Sequence, residues 1–378
     1  MVATLELQPS STAAATIAPP TAFSNGASPT VTAEDVLPES RLRHVKFSYT
    51  ARSAFREPIG GLLTGDAKPE AGDLVLARVD ILGQHKRLEL RTGRRAHLFP
   101  GDEILVSYGN RYAPDQFEAE FPAGLGPCHL VAAGGIASVM LSCHTSMCDP
   151  TSITPLGLIV DPEGLRLNLR RWALGPAPPF DKRPLTLAVV GSMMNSGKTT
   201  TAAYLIRGLV RAGRRVGAAK VTGTGAGGDV WFFNDSGANP VLDFTCMGLP
   251  STYRAGDEAV TDCFGSLHDH LSAAGVDAIV LEVADGVYQG ETAHLLRSAV
   301  FAERVDGLLF AAADAVGAAG AVSHLGDLDV PLIAISGVIT ISPLASREAR
   351  MVCPQLPVVD TAQLSDPAEL TALIPEKT

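Results

Sequence analysis

Apolar residues along this 378-residue chain follow two rhythms, and the change between them comes near residue 180. From Arg41 to Leu174 the apolar runs are short, partly alternating and separated by turn residues. Leu74, Leu76 and Leu82 interleave with Arg78 and Asp80, and charge alternates with Leu over 87–91. Pro100-Gly-Asp102 is a turn into the run 103–108, and further runs cover 130–133, 136–141 and 156–160. Asp161-Pro-Glu-Gly164 predicts a hairpin turn into 165–169. Many short strands joined by turns predict a small barrel or sandwich.

Past Pro184 the apolar runs 185–190, 216–219, 278–283, 307–311 and 331–335 carry no polar alternation, as in strands buried on both faces. Between them the apolar positions take helical spacing. Ala202, Leu205, Ile206, Leu209 and Val210 make one face, and Val260, Cys263, Phe264, Leu267 and Leu271 another. Helical segments begin near Lys198, Asp257, Glu291, Ala315 and Pro343. Strand–helix alternation implies a parallel sheet covered by helices on both sides. The expected fold class is therefore α/β, with a C-terminal parallel-sheet domain preceded by a β-rich one. The expected boundaries are a disordered leader at 1–40, the β-rich domain at 41–174, a Pro-rich linker at 175–184 and the α/β domain at 185–378.

Charge sharpens this division. The leader carries four acids and no base, residues 41–183 a net of +3, and residues 184–378 a net of −9, within a total of −10. An acidic body argues against nucleic acid as a partner, because such binding depends on neutralising phosphates. No apolar run approaches the length of a membrane span, and the leader lacks the basic start of a secretory signal, so no membrane partner and a cytoplasmic location are expected. Six cysteines in so long a chain do not suggest a disulfide framework. Cys143-His144 and Cys148 lack the second close pair of a structural zinc site and are expected as reduced thiols. Lys86, Arg87, Arg91, Arg94 and Arg95 are expected as the solvated face of a half-buried sheet.

The chemistry concentrates where the run 185–190 ends. Gly191-Ser-Met-Met-Asn-Ser-Gly-Lys-Thr-Thr200 joins that strand to an amphipathic helix, the arrangement of a phosphate-binding loop. Backbone N–H groups at a helix start wrap phosphates, and the helix dipole favours their charge. Gly191, Ser192, Asn195, Ser196, Gly197, Lys198, Thr199 and Thr200 are the expected nucleotide-binding residues. Lys198 would reach the terminal phosphates and the Thr199 hydroxyl would bind Mg²⁺. Five residues separate the two glycines where four are usual, so either Ser192 takes the first small position or the loop is one residue longer.

Two further strand ends should converge on that loop, since ligands of parallel sheets bind beyond the carboxyl ends of the strands. Lys220 closes its strand ahead of the Gly-rich run 221–228 and would stabilise charge on a transferred phosphoryl group. Glu282, and after it Asp285, end the next long apolar run as candidate Mg²⁺ ligands. Asp229 and Asp235 follow Lys220 and could supply another; Asp235 is the expected metal ligand of the two.

With these features the C-terminal half resembles the dethiobiotin synthetase branch of P-loop NTPases, a group that also includes ATP-dependent amidases and nucleotide-dependent metal-centre chaperones. That branch too has five residues between its loop glycines, a second lysine 22 residues after the first, as Lys220 follows Lys198, and an acidic strand end before a small-residue loop, as at 282–286. The resemblance implies that Lys198 and Lys220 contact phosphate and reacting groups, that Thr199 and the carboxylates hold Mg²⁺, and that residues 333–346 contact the base. It also implies a dimer. Asn195 stands where synthetases carry an acidic loop residue, and the β-rich half has no counterpart in the family.

The leading expectation is an ATP- and Mg²⁺-dependent ligase or small-molecule kinase, with GTP left open, that activates a carboxylate, carbamate or hydroxyl of a small-molecule substrate. Thr222, Gly223, Asp285 and Tyr288 are the expected substrate-binding residues. The alternative is a regulatory or chaperone-type NTPase whose nucleotide state controls a protein partner.

Overall fold

The computed structural model describes residues 36–374; most of the expected leader, 1–35, and the last four residues lie outside them. The final leader residues belong to the fold instead: Val36 bridges Gly61, and Leu37 is buried just ahead of the short helix α1 (Glu39–Leu42).

The first half is built from β1 (Lys46–Phe47), β2 (Gly61–Leu63), β3 (Leu74–Ile81), β4 (Arg87–Glu89), β5 (Arg95–His97), β6 (Glu103–Tyr108), β7 (Arg111–Tyr112), β8 (Phe117–Glu120), β9 (Cys128–Ala132), β10 (Ile136–Cys143) and β11 (Thr151–Val160). The order β6-β3-β11-β9-β10 returns to β6 through a parallel pairing of Ile136 with Ser107 and Ala137 with Tyr108, so five strands close a small barrel. Closure removes the exposed edges that an open sheet would leave. Val75, Ala77, Val79, Ile104, Val106, Leu130 and Ile153 fill the interior. Leu74, Leu76, Leu105 and Ile159 face outward into a second cluster with Leu37, Phe47, Leu62 and Leu167. The segment 165–169, expected as a strand, touches β11 only through the bridge of Val160 with Arg166, and Leu165 is exposed. Off the barrel, β8 pairs with β10 and carries β7, while β4 and β5 form a separate hairpin.

The second half is a six-stranded parallel sheet of β12 (Leu185–Gly191), β13 (Val216–Lys220), β14 (Val241–Asp243), β15 (Ala278–Glu282), β16 (Gly307–Ala311) and β17 (Leu332–Ser336), in the order β14-β13-β15-β12-β16-β17. Its helices are α2 (Lys198–Arg211), α3 (Gly228–Ser236), α4 (Asp257–Ala273), α5 (Gly290–Leu296), α6 (Ala299–Arg304), α7 (Ala315–Leu325), α8 (Pro343–Val352) and α9 (Pro367–Leu373). One face of the sheet packs on Ala202, Leu205, Ile206 and Leu209 of α2, with Leu370 of α9. The other packs on Val260, Phe264, Leu267 and Leu271 of α4, with Leu295, Phe301 and Ala321 from the later helices. With strands parallel and both faces covered, every strand ends at the same edge of the sheet. No helix among the described residues is long and apolar enough to cross a membrane.

The barrel docks on that edge. The Tyr49 hydroxyl donates to Asp243 Oδ2 at 2.6 Å, Arg52 Nη2 donates to Thr245 Oγ1 at 2.7 Å, and the Tyr253 hydroxyl donates to Glu118 at 3.0 Å. Gly134 approaches the Gly225 carbonyl so closely that an added Cβ would lie 1.9 Å from its oxygen.

Candidate active site

Between the barrel and the strand ends lies a cavity of about 690 Å³, and the loop expected to bind phosphate forms one wall. The loop leaves β12 at Gly191, turns through Asn195 at φ 63° and Gly197 at φ 98°, and enters α2 at Lys198. Positive φ at Gly197 costs a glycine little. A Cβ there would also lie 3.0 Å from Gly337 Cα and Val338 N. Ser196 O accepts from Val338 N at 2.9 Å, which ties the loop to the end of β17.

The two lysines and the buried carboxylate meet as the parallel register requires. Lys220 of β13 is the ladder neighbour of Glu282 of β15, and Val189 of β12 flanks Glu282 on its other side. Thr199 Oγ1 donates to Glu282 Oε1 at 2.8 Å, while Glu282 Oε2 is buried with no partner. Lys198 is buried, and its Nζ donates to Met193 O at 2.8 Å, so the loop lysine folds back over its own loop. Lys220 forms an ion pair with Asp229 in the first turn of α3.

Electrostatics follow from this crowding. Burial pulls Lys198 below the ordinary lysine range, and Glu282 and Asp285 oppose it. Burial also pulls Lys220 down, but Asp229 and Glu282 outweigh it and hold its pKa raised. Glu282 is raised by burial, against the pull of Lys220. Asp285 sits at φ 60°, and burial lifts its carboxyl to about 6 against Lys198, Lys220 and Arg111. A non-glycine residue held there stores strain, a feature that clusters at functional sites.

Mg²⁺ fits this donor set: a buried carboxylate with one free oxygen, bonded through the other to the first hydroxyl of the helix, offers the hard ligands that ion prefers. Thr199 and Glu282 are the residues that would hold it. Asp235 differs from its expected role, because it lies on the exposed side of α3 beside Tyr204 and Arg207. A helix turns once every 3.6 residues, so Asp229 and Asp235 leave α3 at different angles. It is Asp229 that reaches the site.

Of the expected substrate contacts, Gly223 and Asp285 line the cavity. Thr222 is buried and donates to Ala284 O at 3.1 Å, fastening the Gly-rich segment to the loop after β15. Tyr288 is 73% exposed, stacks on His324 with ring centroids 4.4 Å apart, and is not in the cavity wall. From the segment 333–346, Val338 lines the cavity, whereas Ile341 is exposed. Among the described residues, neither at this site nor elsewhere do three or more His, Cys, Asp or Glu side chains form a metal-holding group, and Cys143 and Cys148 are free and exposed.

The opposite wall comes from the barrel and was not legible in the sequence. Arg111, Gln116, His85, Glu89 and Arg95 line it, the last of these taken from the cluster expected to be a plain solvated face. Asn195 of the loop donates to Asp115 Oδ2 at 2.7 Å, and Gly227 N donates to Glu89 Oε2 at 3.2 Å. Both wall-forming segments of the nucleotide site are thus bonded to the barrel.

No family model matches the chain, and no curated protein matches it. Solved structures similar to part of it include a signal recognition particle receptor FtsY from Elizabethkingia anophelis in complex with GDP, at 15% identity and a TM-score of 0.35, over 50% of this chain and 60% of that one. Another is signal recognition particle 54 kDa protein from Aeropyrum pernix K1 in complex with GDP, at 21% identity and 0.35, over 52% and 46%. A third is FtsY from Thermotoga maritima, at 17% and 0.33, over 50% and 66%. The chain spans less than two thirds of these structures' own lengths. The second half is an α/β unit in which strand β12 of the parallel sheet runs through the loop 191–197 into α2.

Proposed function

We propose that the chain is a Mg²⁺-dependent P-loop nucleoside triphosphatase whose nucleotide state is felt by its own barrel. The observation that carries this reading is the direct bonding of the barrel to both segments around the phosphate site, Asn195 to Asp115 and Gly227 to Glu89. In it, Lys198 leaves Met193 O to grip the terminal phosphates, and Lys220 exchanges Asp229 for a phosphate oxygen. That exchange frees Asp229 at the head of α3, two residues from the glycine held by Glu89. Mg²⁺ bound by Thr199 and Glu282 would neutralise charge on the β- and γ-phosphate oxygens. Movement of the segment 221–229 then reaches the barrel, as in ordered and released switch segments.

Hydrogen exchange on the full chain, with Mg²⁺ and non-hydrolysable ATP or GTP analogues, tests this. Protection should rise in 191–200 and change in 85–96 and 111–120 as well. Protection confined to the loop, or no nucleotide binding, would overturn the reading. ATP and GTP are both tried; GDP is the nucleotide in two of the similar structures, which is a fact about those proteins.

A second reading, activation of a small molecule in the dethiobiotin synthetase-like manner, is favoured by the cavity itself. It extends from Lys198 and Lys220 to Arg111 and His85, beyond what phosphates need. Phosphate release stimulated by a metabolite would distinguish this reading from the first.

A further inference from the structure

The barrel wall of the cavity holds a group of polar atoms that its own structure leaves unpaired. Arg111 is 6% exposed, and its Nη2 donates to Gln116 Oε1 at 2.8 Å, but its Nε is buried without a partner. His85 Nδ1, in the same wall, is likewise buried and unpartnered. A buried donor or acceptor left unpaired is costly, so two of them on one wall call for an occupant. Burial lowers Arg111 to about 10, still far above neutrality, and Asp115 and Asp285 act on it without a direct ion pair. The guanidinium is therefore a buried cation with donors to spare. Burial and the Arg111 charge push His85 down to about 3, so its ring is neutral.

We propose that Arg111, oriented by Gln116, is the receptor for the carboxylate of a small organic acid that occupies the barrel side of the cavity while nucleotide occupies the other. This deepens the second reading above and rests on it. The placement of the charges favours a carboxylate over the γ-phosphate. The charged groups acting on Arg111 are Asp115 and Asp285, whereas Lys198 and Lys220 gather around Glu282 and Asp229. Asp285, which acts on all three cations, thus stands between the phosphate side and the Arg111 side. A planar guanidinium fork pairs with a carboxylate, as with a phosphate, through two parallel hydrogen bonds, so it is the placement of Arg111 that favours the acid. Neutral His85, with a free ring nitrogen, accepts rather than donates, which suits an acid that carries a hydroxyl or amine near its carboxylate.

Calorimetry on the full chain, with succinate and malate as probes, tests the receptor without nucleotide. Saturable binding is expected to wild type, and about ten- to hundredfold weaker binding to Arg111→Gln. Arg111→Gln should weaken Mg²⁺-nucleotide binding less than it weakens acid binding, and a cooperative thermal unfolding transition reports that the variant folds. Arg111→Lys keeps the charge but not the fork, and should recover only part of the affinity. Failure of both acids to bind wild type would overturn the proposal. So would an Arg111→Gln protein that loses nucleotide and keeps the acid, because the guanidinium would then belong to the γ-phosphate. Acid binding with no nucleotide binding would instead remove the nucleotide reading and leave the receptor standing.

Discussion

Replacing Lys198 with Met should separate stability from ligand binding in a way that only a phosphate-gripping lysine explains. The side chain is 5% exposed and makes one hydrogen bond, to Met193 O at 2.8 Å. Burial depresses its pKa despite Glu282 and Asp285 nearby, so the folded state disfavours the charge. Met fills nearly the same volume without that charge and forfeits a bond worth about 1 kcal/mol. Gain and loss nearly cancel, and the ligand-free Tm should move by no more than about 2 °C. Nucleotide changes the comparison. At a hundred times its Kd, a Mg²⁺-nucleotide adds about 2.7 kcal/mol to wild type, or about 5–10 °C. Lys198→Met should show none of this increment. Differential scanning fluorimetry with and without Mg²⁺-nucleotide measures both. A variant that unfolds several degrees early, or that keeps the ligand-induced shift, would refute the reasoning.

Other outcomes follow from single contacts. In Gly337→Ala the new Cβ would lie 2.4 Å from Ser196 O at φ 95°, so urea unfolding should show a loss of about 2–3 kcal/mol and nucleotide binding should weaken; Gly213→Ala, at φ 80° with nothing within 4 Å, should cost about 1 kcal/mol. His85 is depressed to about 3 from 6.5, so the stability it contributes is whole above pH 6.5 and is lost as pH falls toward 3. His85→Leu should therefore flatten the acid limb of the urea-unfolding free energy between pH 6.5 and 4, by about 3 kcal/mol at most. Asp229→Asn, which leaves Lys220 without its ion-pair partner, should lower both Tm and nucleotide turnover, whereas Asp235→Asn should change stability by less than about 0.5 kcal/mol and turnover not at all.

What the sequence made legible was local, or repeated by the parallel sheet. The runs 185–190, 278–283 and 307–311 fall on β12, β15 and β16, and the helix starts near Lys198, Asp257, Ala315 and Pro343 fall on α2, α4, α7 and α8. Strands buried on both faces have no competing pattern to confuse them. Lys220 and Glu282 were found for the same reason, since a parallel register lines up strand ends. Helix α3 was hidden because its first residue ends a Gly-rich run, and β14 because three residues, two half-buried and Asp243 buried, are too few to carry a period. Alternation in β3 is blurred because Val75, Ala77 and Val79 enter the barrel while Leu74 and Leu76 feed a cluster outside it. Barrel closure was out of reach, because the pairing of β10 with β6 joins segments whose local patterns say nothing of each other. The roles of Arg111 and His85 depend on that closure and on how the barrel docks, so no local pattern marks them.

In the proposed reading, the charges across the cavity would couple metal, nucleotide and barrel. Lys198, Lys220, Arg111 and Arg95 face Asp229, Glu282, Asp285 and Glu89, four cations against four carboxylates. A triphosphate brings several negative charges into a site that is already balanced, and burial raises three of the carboxylates, Glu89, Glu282 and Asp285, the last to about 6. Entry without a divalent cation would set phosphate oxygens against Glu282 and Asp285 in a poorly solvated space, where repulsion is strong. Binding should therefore be weak without Mg²⁺. Lys220 cannot serve phosphate and Asp229 equally, so nucleotide must loosen the ion pair at the head of α3. Because Gly227 N is held by Glu89, that loosening pulls on the barrel wall beside the Arg111 receptor. Occupancy on the two sides of the cavity is then coupled through Asp285 and the segment 221–229, and by linkage an acid at Arg111 should change nucleotide affinity by the same factor as nucleotide changes its own.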